Sequence, residues 1–460
     1  MIKAFDAIVL GSGGGLKIVR ACAERGLRVA LVEEGAFGGT CLNRGCIPSK
    51  MMIYPAARRE SVRSWHRLGL RLDGSVQADF ARIVADINRE IDATSRRIGE
   101  DLEHLPGVTV FRGPGRFVGD KLVEACGTRL SAPAIFICTG SRPQIPPLQG
   151  LAGSPYMTSR EALRNRVLPQ RLIVMGAGYI AAELGFAYAG YGTEVEFLVR
   201  SRFLRAEDVE IAREFERIFC ARHVVHEGFH PAAVHYADGE FCVRGTAADD
   251  PCVEAKGDAL LIATGVVPET DRLDLAQTGV ACRGDGWVVV DDRLRTTCEG
   301  VYALGDVLGR YLYRHTVNYE AEYLIRGVLD GKDPGAIAYG PVPHAVFADP
   351  EIAGVGETEA SARAKGIPLV IGRATYADST PGMAHRSEYG LCKVLVHAET
   401  RAIIGAHILG EEAATMIHLF VAAMLKQATL DDMLRMIFIH PAMPEIARDA
   451  VRDAGRQSPG

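Results

Sequence analysis

The chain has 460 residues, 48% of them hydrophobic and 24% charged, with a formal net charge of −5. That balance is ordinary for a globular protein, and the length predicts about three domains. Mild acidity without a surface-covering basic run argues against nucleic acid or an anionic membrane as partner, and no apolar run approaches the ~18 residues of a membrane span.

The first ten residues, MIKAFDAIVL, lack the charged n-region, long apolar stretch and cleavage site of a secretory leader. They lead straight into glycines, as a first strand does, so a cytoplasmic protein is expected. The eleven cysteines (22, 41, 46, 126, 138, 220, 242, 252, 282, 298 and 392) are odd in number and scattered. Such a set is a poor disulfide framework; a close pair in a reducing compartment, here Cys41 and Cys46, is more often catalytic than structural.

Two segments share one pattern of apolar strand, glycine-rich turn and small-residue helix. AIVLGSGGGLKIVRACAERG (7–26) is followed by RVALVEE (28–34), and RLIVMGAGYIAAELGFAYAGYG (171–192) by TEVEFLVR (193–200). Each predicts a βαβ unit opening a parallel sheet, and two such units imply two dinucleotides. In the first, Gly11 and Gly13 allow a tight turn that brings a pyrophosphate to the helix N-terminus. Glu33 ends the next strand where a ribose-binding acid belongs. The third glycine position holds Leu16, a departure unless the glycine run is shifted by a one-residue deletion. A glycine-rich turn without ligand is the plainer alternative.

Next comes GGTCLNRGCIPSK (38–50). Its cysteines could be buried small hydrophobes or half a zinc site, but no second pair at ligand spacing completes a zinc site, and no metal is expected. Pro48 suits a first helical turn, and Lys50 adds a cation that favours a thiolate. The second glycine turn has Gly176, Gly178 and Ala181. No acid ends its following strand: Val199 stands there, followed by Arg200, with Arg202 and Arg205 nearby. A guanidinium suits a 2′-phosphate, so NADP is favoured over NAD, the alternative being a solvated arginine face.

Short strands ending in similar phrases occur at AIFICTGSRP (134–143) and ALLIATGVVP (259–268), with prolines that mark crossings or linkers. GVYALGDV (300–307) is another buried strand. Beyond DGKDPG (330–335) an α+β unit of about 120 residues is expected. In IHPAMPEIARDA (439–450), His440 precedes Glu445 by five residues; it could be a surface or capping histidine, or a general base oriented by an acid.

In this order, GSGGG, GGTCLNRGCIPSK, TGSRP, GAGYIAAELG, ATG, YALGD and HPAMPE resemble the FAD-dependent pyridine nucleotide–disulfide oxidoreductases over residues 5 to about 450. The resemblance implies an α/β fold of two Rossmann-like dinucleotide-binding domains and a C-terminal α+β dimerisation domain. Its boundaries would be 1–145 (FAD, first part), 146–265 (NAD(P)), 266–335 (FAD, second part) and 336–460 (interface). It implies that Cys46 is the thiol against the flavin and Cys41 the one that meets substrate. Lys50 and Glu183 would be an ion pair beside the flavin, and Tyr179 an aromatic gate over the nicotinamide pocket. Asp306 would bind the ribityl chain. His440 and Glu445 would form a base pair delivered into the other subunit of an obligate homodimer. Further FAD contacts are expected at Gly14, Gly39, Thr40, Thr139 and Gly140, and a further NAD(P) contact at Gly265.

Within the class the resemblance points first to dihydrolipoamide dehydrogenase acting on lipoyl groups. The alternatives are an NADPH-dependent low-molecular-weight disulfide reductase, of the mycothione or glutathione type, and a flavoprotein subunit of a lipoyl-carrier assembly. Absence of a cysteine pair at residues 451–460 disfavours mercuric reductase and high-molecular-weight thioredoxin reductase. The intact CxxxxC and late His–Glu argue against an NADH oxidase.

Overall fold

The computed structural model describes residues 1–457. They form two compact units: Met1–Ser49, Ile83–Gln144 and Gly265–Tyr339 in the first, and Lys50–Arg82, Ile145–Thr264 and everything from Gly340 onward in the second. Among the described residues no helix is long and apolar enough to cross a membrane.

The core of the first unit is a five-stranded, wholly parallel sheet in the order Val301–Ala303, Ala134–Ile137, Ala7–Leu10, Val29–Glu33, Val108–Arg112. Its central strands are unbroken apolar runs because both faces are covered, and Ala7, Ile8 and Val9 have no exposed surface. The helix Gly15–Glu24 sets Leu16, Ile18, Val19 and Cys22 into this core. Residues 1–10, which read as one strand, serve two sheets. Ile2–Ala4 pairs with Thr128–Ser131 in a separate four-stranded sheet, and only Ala7–Leu10 joins the parallel one. The chain leaves this unit after Gln144 and returns at Gly265. There Ser141–Pro143 and Val266–Pro268 pair antiparallel, and the Gln144 amide donates to the Gly265 carbonyl at 2.9 Å.

The second unit contains a parallel sheet, Val224–Glu227, Glu194–Val199, Arg171–Met175, Ala259–Ile262, and the small antiparallel sheet His230–Gly257. The helix Tyr179–Tyr191 is apolar nearly all round, and Gly185 lets it press onto Phe197 of the neighbouring strand. From Pro343 onward the pairing is antiparallel instead, and five strands form in the order Pro343–Val346, Ile352–Gly356, Ile403–Leu409, Leu391–His397, Leu369–Thr375. The helices Ala413–Leu425 and Pro444–Gln457 share a core with this sheet through Val394, Ile408, Phe420, Ile446 and Ala450. The architecture is α/β with an α+β C-terminal part.

Candidate active site

The first glycine turn is built for close backbone approach. Gly11 has φ +100°, and a Cβ there would stand 2.5 Å from the Cys138 carbonyl oxygen. The departure at Leu16 resolves by a shift of one residue. Leu16 is a buried core side chain, and Gly15 makes the tight helix–strand contact, since a Cβ on it would meet Val9 Cγ1 at 2.5 Å. Gly14 caps this helix, and its missing side chain makes room for Val317. Opposite, Gly39 has φ +67°, and a Cβ there would lie 2.6 Å from the Gly13 Cα, so two bare stretches of backbone face each other. The Gly38 amide donates to Ser12 Oγ at 3.0 Å. Glu33 accepts the Ser12 and Gly35 amides, each at 2.7 Å.

At the end of strand Ala134–Ile137, Thr139 Oγ1 is buried without a hydrogen-bond partner among the described residues. Gly140, with φ +73°, faces open space. Asp306, in the turn after Val301–Ala303, accepts the Ser141 hydroxyl at 2.8 Å. Burial pushes its carboxyl up from the ordinary range, with Ser141 and the Arg314 guanidinium pulling the other way. An orphaned hydroxyl, a half-buried carboxylate and glycine-lined backbone suit a dinucleotide whose sugar hydroxyls would satisfy them. These residues therefore fit FAD.

The same unit holds both cysteines of the pair. Asn43 Nδ2 donates to the Phe37 and Gly39 carbonyls, each at 2.9 Å, and Ser95 Oγ to Phe37 O at 2.9 Å, pinning the loop before helix Gly39–Arg44. That helix carries exposed Thr40 and half-buried Cys41, and ends at Gly45. A second helix, Cys46–Ser61, begins at exposed Cys46 with Pro48 in its first turn. The N-terminus of a 16-residue helix favours negative charge on that sulfur.

In the second unit, Lys50 Nζ lies 2.7 Å from Glu183 Oε2. Glu183 is 4% exposed, its other oxygen accepts the Phe347 amide at 3.0 Å, and the Lys50 ammonium sits 4.4 Å from the Phe347 ring centre. Gly176, at φ +139°, abuts the Ala263 carbonyl, whereas Gly178, the helix cap, faces open space. Ala181 is buried against the sheet, and Tyr179 opens the helix with its ring exposed. Val199 is buried, while Arg200 and Arg205 are exposed. Gly265, expected with these groups, groups instead with the first unit beside Gln144.

Near the C-terminus, His440 Nδ1 lies 3.0 Å from Glu445 Oε2, with its ring two-thirds exposed. Glu445 is 3% exposed and also binds Arg448 at 2.8 Å. Burial raises its carboxyl, but the His440 bond, the Ala442 amide and the Arg448 charge outweigh that and hold it below the usual carboxylate range. Sequence reasoning missed Gly15, Ser141, Arg314 and Phe347. Gly15 had a signal, the run of three glycines; the others become visible only once distant strands meet.

The sequence model described as "Pyridine nucleotide-disulphide oxidoreductase" matches residues 5–321, and that of its dimerisation domain matches residues 342–451. The chain is 35% identical to mycothione reductase of Mycobacterium tuberculosis, covering 98% of this chain and 99% of that protein. It is 32% identical to dihydrolipoyl dehydrogenase 3 of Haloarcula marismortui, over 98% and 96%. The solved structure of the HOCl-induced flavoprotein disulfide reductase RclA from Escherichia coli superposes with a TM-score of 0.86 at 26% identity, covering 97% of this chain and 99% of that one. The chain belongs to the pyridine nucleotide–disulphide oxidoreductases, FAD-dependent enzymes with NAD(P)H as electron donor.

Proposed function

We propose that this chain is an NADPH-dependent reductase of a low-molecular-weight disulfide, catalysing NADPH + H⁺ + RSSR → NADP⁺ + 2 RSH. The observation that carries the coenzyme choice is the end of strand Glu194–Val199. A buried Val199 stands where a ribose-binding acid would, and an exposed Arg200 follows. Full-length 35% identity to mycothione reductase supports the substrate class. The second reading is dihydrolipoyl dehydrogenase, supported by the collinear motifs and the 32% identical relative; it runs the same chemistry from a dithiol. In either reading the dinucleotide-binding parts are residues 1–145 with 266–335 for FAD and 146–265 for NAD(P), with 336–460 as the interface.

FAD, when bound, would supply the two-electron link between the nicotinamide hydride and the Cys41–Cys46 disulfide. Gly11, Gly13, Gly14, Gly39, Thr40, Thr139, Gly140, Glu33 and Asp306 would hold it. Gly176, Gly178, Tyr179, Ala181, Arg200 and Arg205 would hold the nicotinamide coenzyme, and Lys50 with Glu183 would place a fixed cation at the redox centre. The reduced pair then acts. The Cys41 thiolate attacks one substrate sulfur, forming a mixed disulfide and expelling the first thiolate, which takes its proton from His440 of the partner subunit. The Cys46 thiolate attacks the Cys41 sulfur, re-forming the disulfide and expelling the second thiolate, which takes up the solvent proton that the overall reaction consumes. Leu434, Met436, Ile437 and Ile439, all exposed beside His440, form an apolar strip suited to burial against a second copy.

Turnover of oxidised mycothiol, glutathione disulfide and dihydrolipoamide, each with both coenzymes, tests this. Disulfide reduction with NADPH is expected, and Arg200→Glu should weaken NADP(H) by roughly 2 kcal/mol with little change for NAD(H). Preference of the unmodified enzyme for NAD⁺ and dihydrolipoamide overturns the first reading in favour of the second.

A further inference from the structure

Behind the half-buried Asp306 lies a fully buried acid that none of the proposed chemistry uses. Glu320, in the helix Arg314–Leu324, is 1% exposed. Its Oε2 accepts the Gly305 amide at 2.6 Å, and its Oε1 accepts the Tyr339 hydroxyl at 2.7 Å. Both donors are neutral, although a buried carboxylate is costly without a direct cationic partner.

The place of the Gly305 amide explains the arrangement. Strand Val301–Ala303 and the residue after it stay on the parallel ladder, and Leu304 makes the last bond, to Ile137 O at 3.1 Å. Gly305 comes next, at φ +81°, where the chain turns away from the sheet with no strand to receive its amide. A left-handed glycine is the least restrained residue available, yet it immediately precedes Asp306. A single carboxylate from a neighbouring helix thus fixes the peptide plane leading into Asp306, whose side chain is otherwise held by Ser141. The Tyr339 ring that orients Glu320 is itself wedged, 5.0 Å from the ring of Tyr311 and 6.0 Å from that of Tyr319, with Arg310 5.6 Å from its centre.

We infer that Glu320, oriented by Tyr339, is a positioning residue for Asp306: its bond to the Gly305 amide sets the turn that presents the Asp306 carboxylate to the bound flavin dinucleotide. The inference rests on the reading of Asp306 as an FAD ligand given above. Burial raises the Glu320 carboxyl, against the pull of the Tyr339 and Gly305 hydrogen bonds and of the Arg310 charge. What Glu320 gives the turn is an acceptor for the Gly305 amide, and a glutamine carboxamide can accept that bond while its NH2 meets the Tyr339 oxygen.

The test is retention of FAD by purified holoenzyme, measured as flavin fluorescence released on serial dilution, alongside the melting temperature and visible flavin spectrum of each variant. Glu320→Ala should weaken FAD retention about tenfold or more, and Glu320→Gln, which can still accept from Gly305 and meet Tyr339, should stay within about threefold of wild type. Combining Glu320→Ala with Asp306→Asn should give a loss no larger than the greater single loss, because both act through one carboxylate. Losses that multiply, or wild-type retention in Glu320→Ala, overturn the inference. If Glu320→Ala does not fold, Tyr339→Phe decides: a weaker hold on FAD that does not add to Asp306→Asn supports the inference, and one that multiplies with it, or no loss at all, refutes it. If Asp306→Asn alone leaves retention unchanged while Glu320→Ala lowers it, the assignment of Asp306 has failed; if Asp306→Asn lowers retention while Glu320→Ala is silent, this inference alone has failed; if both are silent, both have failed.

Discussion

Cys41 and Cys46 differ in setting: one is half-buried in a six-residue helix and the other is exposed at the first position of a sixteen-residue helix. Replacing either by serine should abolish thiol–disulfide turnover while FAD stays bound, since none of the residues proposed to cradle the dinucleotide changes. The two variants should nonetheless be distinguishable by eye. Only Cys41→Ser keeps a Cys46 thiolate, and so only it should show long-wavelength absorbance at rest. That absorbance in Cys46→Ser would reverse the two roles. Cysteines elsewhere provide a control. Burial pushes the Cys22 and Cys392 thiols up to about 12, so neither should alkylate at neutral pH in the folded protein.

Glu445 gives a pH prediction whose sign is fixed by its surroundings. Its carboxyl lies below the ordinary value in the folded chain, so ionisation favours folding. That contribution is fully present above the unfolded carboxyl value and is lost as pH falls through the lower folded one. Glu445→Gln should therefore lower the melting temperature most near neutrality, with the gap to wild type closing in acid. A gap independent of pH would mean that the side chain's shape, rather than its charge, holds the His440 turn.

At the scale of elements, two glycines two residues apart should fail in different ways. A side chain on Gly176 runs into the Ala263 carbonyl in a left-handed backbone, so Gly176→Ala should destabilise the strand–helix turn by about 1–3 kcal/mol. Gly178 faces open space, so Gly178→Ala should melt like wild type but bind the nicotinamide coenzyme more weakly, its methyl occupying the path of the pyrophosphate. Denaturant titration and coenzyme titration separate the two effects. The parallel strands and their glycine turns were readable because burial on both faces demands unbroken apolar runs, and because a turn beneath a helix N-terminus demands glycine. Other elements carried no such mark. Ile2–Ala4 and Ala7–Leu10 look continuous, and only the Asp6 carboxylate, which takes the Arg28 amide at 2.7 Å, shows where the chain changes sheets. Lys393 would be read as a solvated lysine, yet it is 1% exposed and held by Asp208, Glu210 and Glu359 from distant segments. Glu320 is equally silent: its partners lie 15 and 19 residues away, and nothing in NYEAEYL separates a buried acid from an exposed one.

At the scale of the whole molecule, the central expectation is that an active enzyme requires two copies. The family's dimerisation domain spans residues 342–451 and so includes His440. His440 stands two-thirds exposed beside Ile437 and Ile439, which are themselves almost bare. Apolar side chains so exposed are costly unless another surface covers them, and a histidine held by a buried acid is of little use facing only water. If the partner subunit supplies the histidine to Cys41, His440→Ala should cost roughly 10²–10⁴ in turnover, the usual range for a positioned acid–base group. Reduction of the flavin by the nicotinamide, which needs no such base, should be nearly unchanged. Mixing inactive Cys41→Ser with inactive His440→Ala subunits then gives a test that no single variant can. A mixed dimer has one site that lacks both groups and one that is wholly intact. With random exchange half the dimers are mixed, so activity should recover to about a quarter of wild type. Proven exchange without recovery would place His440 and Cys41 of each working site on the same chain.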